Sequence, residues 1–266
     1  APGNSRFMNT VCSVGNLNEY GYNTMRILLA GAAGFVGRVA LDQLSKNHEV
    51  TAFDVRLVED HPDAILGDVL DYKAVEEAVA GHDAVVNTIM APNVAYNDGG
   101  PGFTINTIGA YNLFEAARLH GIKRFVHTSS GAVHTGYPGP PATFLTHDLY
   151  PLRASGTYAL SKLLQEETAR NFHQQHGMSI ACIRPWGIID AEKMITTDGH
   201  AVEGHSWGHI DRRDVASALV CALEADNIGY ECFYVMATPG GYKAVDAART
   251  EERLGWKPAI TFSADL

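Results

Sequence analysis

Residues 25–37 read Met25-Arg-Ile-Leu-Leu-Ala30-Gly31-Ala-Ala33-Gly34-Phe35-Val36-Gly37. A short apolar run here enters a glycine-rich turn, and the periodicity that follows is helical. The order strand, GxxGxxG, helix is a phosphate-binding turn with a mechanism. Gly31 permits the tight exit from the strand, Gly34 allows close backbone approach to a pyrophosphate, and Gly37 lets the helix pack on the sheet. The free N–H groups and the dipole at the helix start then face the phosphates. Ala33, Phe35 and Val36 complete the turn and share its position. The next apolar run ends at Thr51-Ala-Phe-Asp54-Val-Arg56. A carboxylate in that place accepts ribose hydroxyls and repels a 2′-phosphate, so Asp54 predicts NAD rather than NADP. Arg56 admits two readings, a solvated loop residue or a phosphate partner. Asp68 and Val69 are expected at the adenine edge, and Asn87 and Thr88 beside the nicotinamide ribose.

Outward from this turn, apolar strands and helical segments alternate. Strands are predicted over 25–30, 49–54, 84–88, 124–128, 179–183 and 231–235. Helices are predicted over 35–46, 72–79, 107–120, 156–176 and 211–225. Continuous apolar strands separated by helices imply a parallel sheet covered on both faces, a doubly wound α/β fold of Rossmann type. Two stretches break the rhythm, 135–155 with its Pro and Gly residues and 186–209 with Gly, His and Trp. Both follow strand C-termini, where an open parallel sheet places its ligand crevice, so both are expected on the substrate side. The expected organisation is an N-terminal extension over 1–24, then one Rossmann-fold domain over 25–266. The extension lacks the cationic start and apolar core of a secretory signal.

Composition narrows the function classes. The chain has 266 residues, 46% of them hydrophobic, and a formal net charge of −10, with a mean hydropathy of −0.08. No Lys/Arg run suggests a nucleic-acid surface, and no apolar stretch has membrane-spanning length. Four scattered cysteines without a CxxC pair read as free thiols in a reducing compartment, so a cytoplasmic location is expected. The 12 histidines show no metal-ligand spacing, and no metal is expected.

Downstream lie Ser130 and Tyr158-Ala-Leu-Ser-Lys162. Tyr158 and Lys162 are i and i+4, on one helix face. A tyrosine hydroxyl ordinarily titrates near ~10, and a neighbouring ammonium favours its phenolate. Tyr158 is thereby suited to take a proton from an alcohol or return one to a carbonyl. Lys162 can also hold the nicotinamide ribose, and Ser130 can bond the substrate oxygen.

These motifs resemble the extended branch of the short-chain dehydrogenase/reductase superfamily, from about Met25 to the C-terminus. The matching segments are GAAGFVG at 31–37, Asp54, Asp68-Val69, Asn87-Thr88, Asn106, FVHTSSGAVH at 125–134, YALSK at 158–162, IRP at 183–185, HIDRRDVA at 209–216 and RLGWKP at 253–258. The resemblance implies NAD as cofactor, Ser130, Tyr158 and Lys162 as catalytic trio, Asn106 as their support on a helix, and a homodimer. His134 stands where the family's epimerases and dehydratases usually carry Tyr. It is either a substrate contact or a structural loop residue. Ser129, Trp186, Trp207 and Arg212 are further candidates for the substrate pocket. In length the chain is similar to uronate dehydrogenases, which oxidise a free sugar acid. The implied activity is hydride transfer between nicotinamide and a small polyhydroxylated substrate. The alternatives are a nucleotide-sugar epimerase or dehydratase with bound NAD, and a non-catalytic dinucleotide sensor, against which Tyr158 and Lys162 argue.

Overall fold

The computed structural model describes residues 24–58, 61, 63–91 and 100–266. The proposed N-terminal extension lies outside the described residues except for Thr24. The main sheet has seven strands, all parallel. They are β1 (Arg26–Ala30), β2 (Glu49–Asp54), β3 (Ile65–Leu66), β4 (Ala84–Asn87), β5 (Arg124–Thr128), β6 (Ser179–Arg184) and, last in the chain, β10 (Tyr230–Tyr234). Their spatial order is β10-β6-β5-β4-β1-β2-β3. The order reverses at β1, between β2 and β4, and there the Gly-rich turn leaves the sheet.

Strand residues alternate between the two faces with period two. Ile27 and Leu29 join the core layer that includes Val86, Ile183 and Phe233. Leu28 and Ala30 join the opposite layer, with Val85, Phe114 and Phe125. The first layer is covered by α1 (Gly37–Leu44) and α5 (Arg212–Glu224). The second is covered by α2 (Tyr72–Val79), α3 (Pro101–Leu119) and α4 (Thr157–His176). This double cover makes the strands apolar throughout, which is why they were readable in the sequence.

Differences from the sequence reading are local. Helix α3 starts six residues before the predicted 107, because Pro101 stands at its first position with φ already helical. The 186–209 stretch is not irregular. It holds β7 (Gly187–Asp190), β8 (Ile195–Thr196) and β9 (His209–Asp211), a small sheet ordered β8-β7-β9. Two short C-terminal helices follow, α6 (Pro239–Ala244) and α7 (Ala248–Leu254). Cys182 and Cys232 are free and buried. Cys221 takes part in a disulfide, which corrects the reading of four free thiols. Among the described residues no helix is long and apolar enough to cross a membrane.

Candidate active site

At the C-terminal edge of the main sheet a cleft of about 1200 Å³ runs from the Gly-rich turn to the small sheet. Its first end is built by β1 and β2. The N–H of Gly31 donates to the carbonyl of Phe53 (2.8 Å), and that of Gly34 to the carbonyl of Gly31 (2.9 Å). Gly31 has φ +86°, and a Cβ on Gly37 would lie 1.9 Å from the Gly31 oxygen, so the turn closes only on glycine. Ala33, buried in the same turn, donates its N–H to Asp54 Oδ2 at 2.9 Å. Asp54 Oδ1 accepts the N–H of Arg56 at 3.0 Å. The Arg56 guanidinium reaches the Ala33 carbonyl (2.9 Å) and lies 3.5 Å from Asp54, with its side chain 64% exposed. Phe35 and Val36 line the cleft. The Arg212 guanidinium sits 5.0 Å over the Phe35 ring and pairs with Asp190 at 2.8 Å. It thus holds the turn to the small sheet rather than lining the cleft.

Asp68 and Val69 border the same end. Asp68 caps its own turn through the N–H of Leu70 (2.9 Å), and Asn112 holds the Val69 carbonyl at 2.9 Å. Thr88 lines the cleft and gives its hydroxyl to the Ala30 and Gly31 carbonyls. Asn87 is 2% exposed. Its carbonyl oxygen accepts the N–H of Ile89 (2.9 Å), and its amide nitrogen meets His127 Nδ1 (3.2 Å). Its side chain supports the wall from behind.

The middle of the cleft carries the candidate chemistry. Tyr158 and Lys162 face it from α4, and Ser130 from the end of β5. Ser130 Oγ accepts the N–H of Ala132 (3.1 Å), starting the 3-10 turn Gly131–His134. Its own proton remains to donate. Lys162 Nζ donates to the Thr128 carbonyl at 2.9 Å. Burial depresses its ammonium to about 8. Asn106, fully buried on α3, accepts the N–H of Ala91 (3.0 Å) and donates to Ser161 Oγ (3.0 Å). Ser161 in turn donates to the Tyr158 carbonyl (2.7 Å). Gln165 grips the Asn106 carbonyl at 2.5 Å and meets His127 Nε2 at 3.2 Å. Burial drives the His127 imidazole down to about 3, so it is neutral and serves this network as a hydrogen-bonding ring.

Beneath Ser129 lies a buried charge pair that sequence reading missed. Arg184 grips Glu166 through Nε (2.9 Å) and Nη2 (2.7 Å). Burial alone would raise the Glu166 carboxyl, but Arg184 outweighs it and holds the group below the usual carboxylate range. Ser129 lines the cleft yet gives its hydroxyl to Glu166 at 2.5 Å. His134 is 1% exposed and does not line the cleft. Its Nδ1 bonds the Tyr234 hydroxyl and its Nε2 the Leu149 carbonyl (3.0 Å). Burial lowers it to about 4.

The last wall comes from the small sheet. Trp186 lines the cleft, whereas Trp207 backs it, ring centroids 4.9 Å apart. The Trp186 ring occupies the space that Cβ atoms on Gly131 and Gly208 would take. Ile188, Thr196, Thr197, Asp198 and His200 complete the lining. The sequence marked their segment but none of these residues.

The residues present fit a dinucleotide. The glycine turn presents a helix start to phosphate, and Asp54 stands where a ribose is bonded. Thr128, on the cleft wall, has a buried hydroxyl oxygen without a protein partner.

Comparison with known proteins agrees. The model of the NAD dependent epimerase/dehydratase family matches residues 27–235. L-arabinose 1-dehydrogenase (NAD(P)(+)) of Haloferax volcanii is 33% identical over 64% of this chain and 69% of its own. Uronate dehydrogenase of Agrobacterium fabrum is 34% identical over 60% of each chain. This chain therefore spans less than two thirds of the second relative's length. A crystal structure of a uronate dehydrogenase variant from Agrobacterium tumefaciens, complexed with NAD, superposes with a TM-score of 0.69 at 25% identity. It covers 89% of this chain and 85% of its own. With motif, fold and cleft in agreement, the chain belongs to the NAD dependent epimerase/dehydratase family, whose resemblance to extended short-chain dehydrogenases the motifs already carried.

Proposed function

We propose that the protein is an NAD-dependent dehydrogenase of a free, small polyhydroxylated substrate such as a sugar, with Tyr158 as the acid/base. The observation that carries this is the meeting of Ser130, Tyr158 and Lys162 in one cleft with the Gly-rich turn. When bound, NAD supplies the acceptor for the hydride leaving the substrate carbon. Gly31, Gly34, Gly37 and Asp54 would hold it at one end, and Lys162 at the other. Ser130 donates a hydrogen bond to the substrate oxygen and orients it. Tyr158 takes the hydroxyl proton as the carbon–oxygen single bond becomes a carbonyl. The Lys162 ammonium favours the phenolate that performs this step.

The cleft also supports a free substrate over a nucleotide sugar. A diphosphate needs cationic or N–H donors. Among the described lining residues the only Lys or Arg are Arg56, at the Asp54 end, and Lys162. The reading extends to a homodimer through α3 and α4, which leave Ile108, Tyr111, Leu119, Leu160 and Leu164 exposed. The test is NADH formation across free sugars, sugar acids and nucleotide sugars. NADH with a free sugar supports the proposal. Turnover of a nucleotide sugar without NADH release overturns it.

A further inference from the structure

The far end of the cleft carries a charge that no part of the foregoing uses. Thr196, Thr197, Asp198 and His200 line it where the chain leaves β8. The turn is fixed by its own backbone. The N–H of Thr196 donates to the His200 carbonyl (2.9 Å), and the N–H of Gly199 to the Thr196 carbonyl (3.0 Å). The N–H of His200 donates to Thr196 Oγ1 at 3.2 Å. Gly199, with φ +79°, makes the reversal. Asp198 is exposed at the tip of this hydrogen-bonded turn and borders the cleft.

Among the described lining residues at that end His200 is the one other titratable group, and no Lys or Arg stands there. Arg56 is engaged with Ala33 and Asp54. Lys162 is engaged with the Thr128 carbonyl. Lys193, the cation of this segment, is exposed and does not line the cleft.

We infer that Asp198 is a specificity-determining residue that selects electroneutral sugars over sugar acids. The inference rests on the dehydrogenase reading above and narrows its substrate class. A ring hydroxyl donates to a carboxylate in a charge-assisted hydrogen bond. A substrate carboxylate offers only acceptors and repels it. For charges several ångströms apart in a partly solvated site, that repulsion amounts to roughly one decade in affinity.

The test uses a matched pair that differs only at C6, D-galactose and D-galacturonate. kcat/KM for each is measured by NADH formation in the native protein, Asp198→Asn and Asp198→Lys. The native protein should favour the neutral sugar by about ten-fold or more. Asp198→Asn should shrink that ratio about ten-fold, chiefly through the KM of the acid, and Asp198→Lys should shrink it further. Cooperative thermal unfolding and retained NAD binding by calorimetry show that the variants fold. A native preference for the acid, or a ratio unmoved in both variants, overturns the inference while leaving the dehydrogenase reading intact. No NADH from either sugar or from any free sugar or sugar acid of the wider screen above, with NAD binding retained by calorimetry, overturns that reading and the inference with it.

Discussion

Asn106 on α3 and Ser161 on α4 are joined by a 3.0 Å hydrogen bond, and Ser161 passes the constraint to the Tyr158 carbonyl at 2.7 Å. The backbone of the candidate acid/base is thus fixed by a neighbouring helix. Asn106→Ala should leave the buried Ala91 N–H without an acceptor, a loss of about 1–3 kcal/mol. Thermal unfolding should register this as a lower Tm. Turnover should fall while NAD affinity changes little. An unchanged kcat would remove Asn106 from the support of Tyr158.

Tyr158→Phe retains the packing of α4 and removes the proton acceptor. Turnover should drop by roughly 10²–10⁴-fold, with NAD binding by calorimetry preserved. Native-like kcat in this variant would exclude Tyr158 from the chemistry.

Burial lowers the Lys162 ammonium to about 8. Its unfolded value is higher, so between about 8 and ~10.4 the unfolded chain binds more protons than the native one. This group therefore adds stability as pH rises through that window, and penalises the fold below it. Side-chain NMR of isotope-labelled lysine in the NAD-free protein should show one resonance titrating near 8, absent in Lys162→Met. Titration at the ordinary lysine value would contradict the burial argument.

Asp54 should make NAD the preferred dinucleotide, with Arg56 as the counterweight beside it. Asp54→Asn should raise the NADP-to-NAD affinity ratio roughly ten-fold, a change of about 1.4 kcal/mol. Arg56→Ala should lower NADP affinity further. Tighter binding of NADP than NAD by the native protein would reverse the assignment.

Much of this architecture was legible in the sequence because its signals are local. The glycines at 31, 34 and 37 act within one turn, and the doubly covered strands read as short continuous apolar runs. Tyr158 and Lys162 declare their shared face by spacing alone. The inward-turned side chains were not legible, because their partners lie far along the chain. Nothing near His134 announces Tyr234, 100 residues away. Nothing near Asn87 announces His127, 40 residues away. Likewise, β7, β8 and β9 are too short for periodicity to register, and they pair only once the main sheet has brought their ends together.

Trp186 is wedged where side chains on Gly131 and Gly208 would stand, their Cβ atoms falling 2.0 Å and 2.7 Å from its ring. One of those glycines follows Ser130 directly. That wall is therefore closed to gradual change, since any substitution at either glycine displaces the indole. In the Thr196–His200 turn, Thr196 bonds the His200 N–H and Gly199 needs its positive φ, but Thr197 and Asp198 carry no such interlock. Diversification of substrate range, by evolution or by a designed library, has its free positions there.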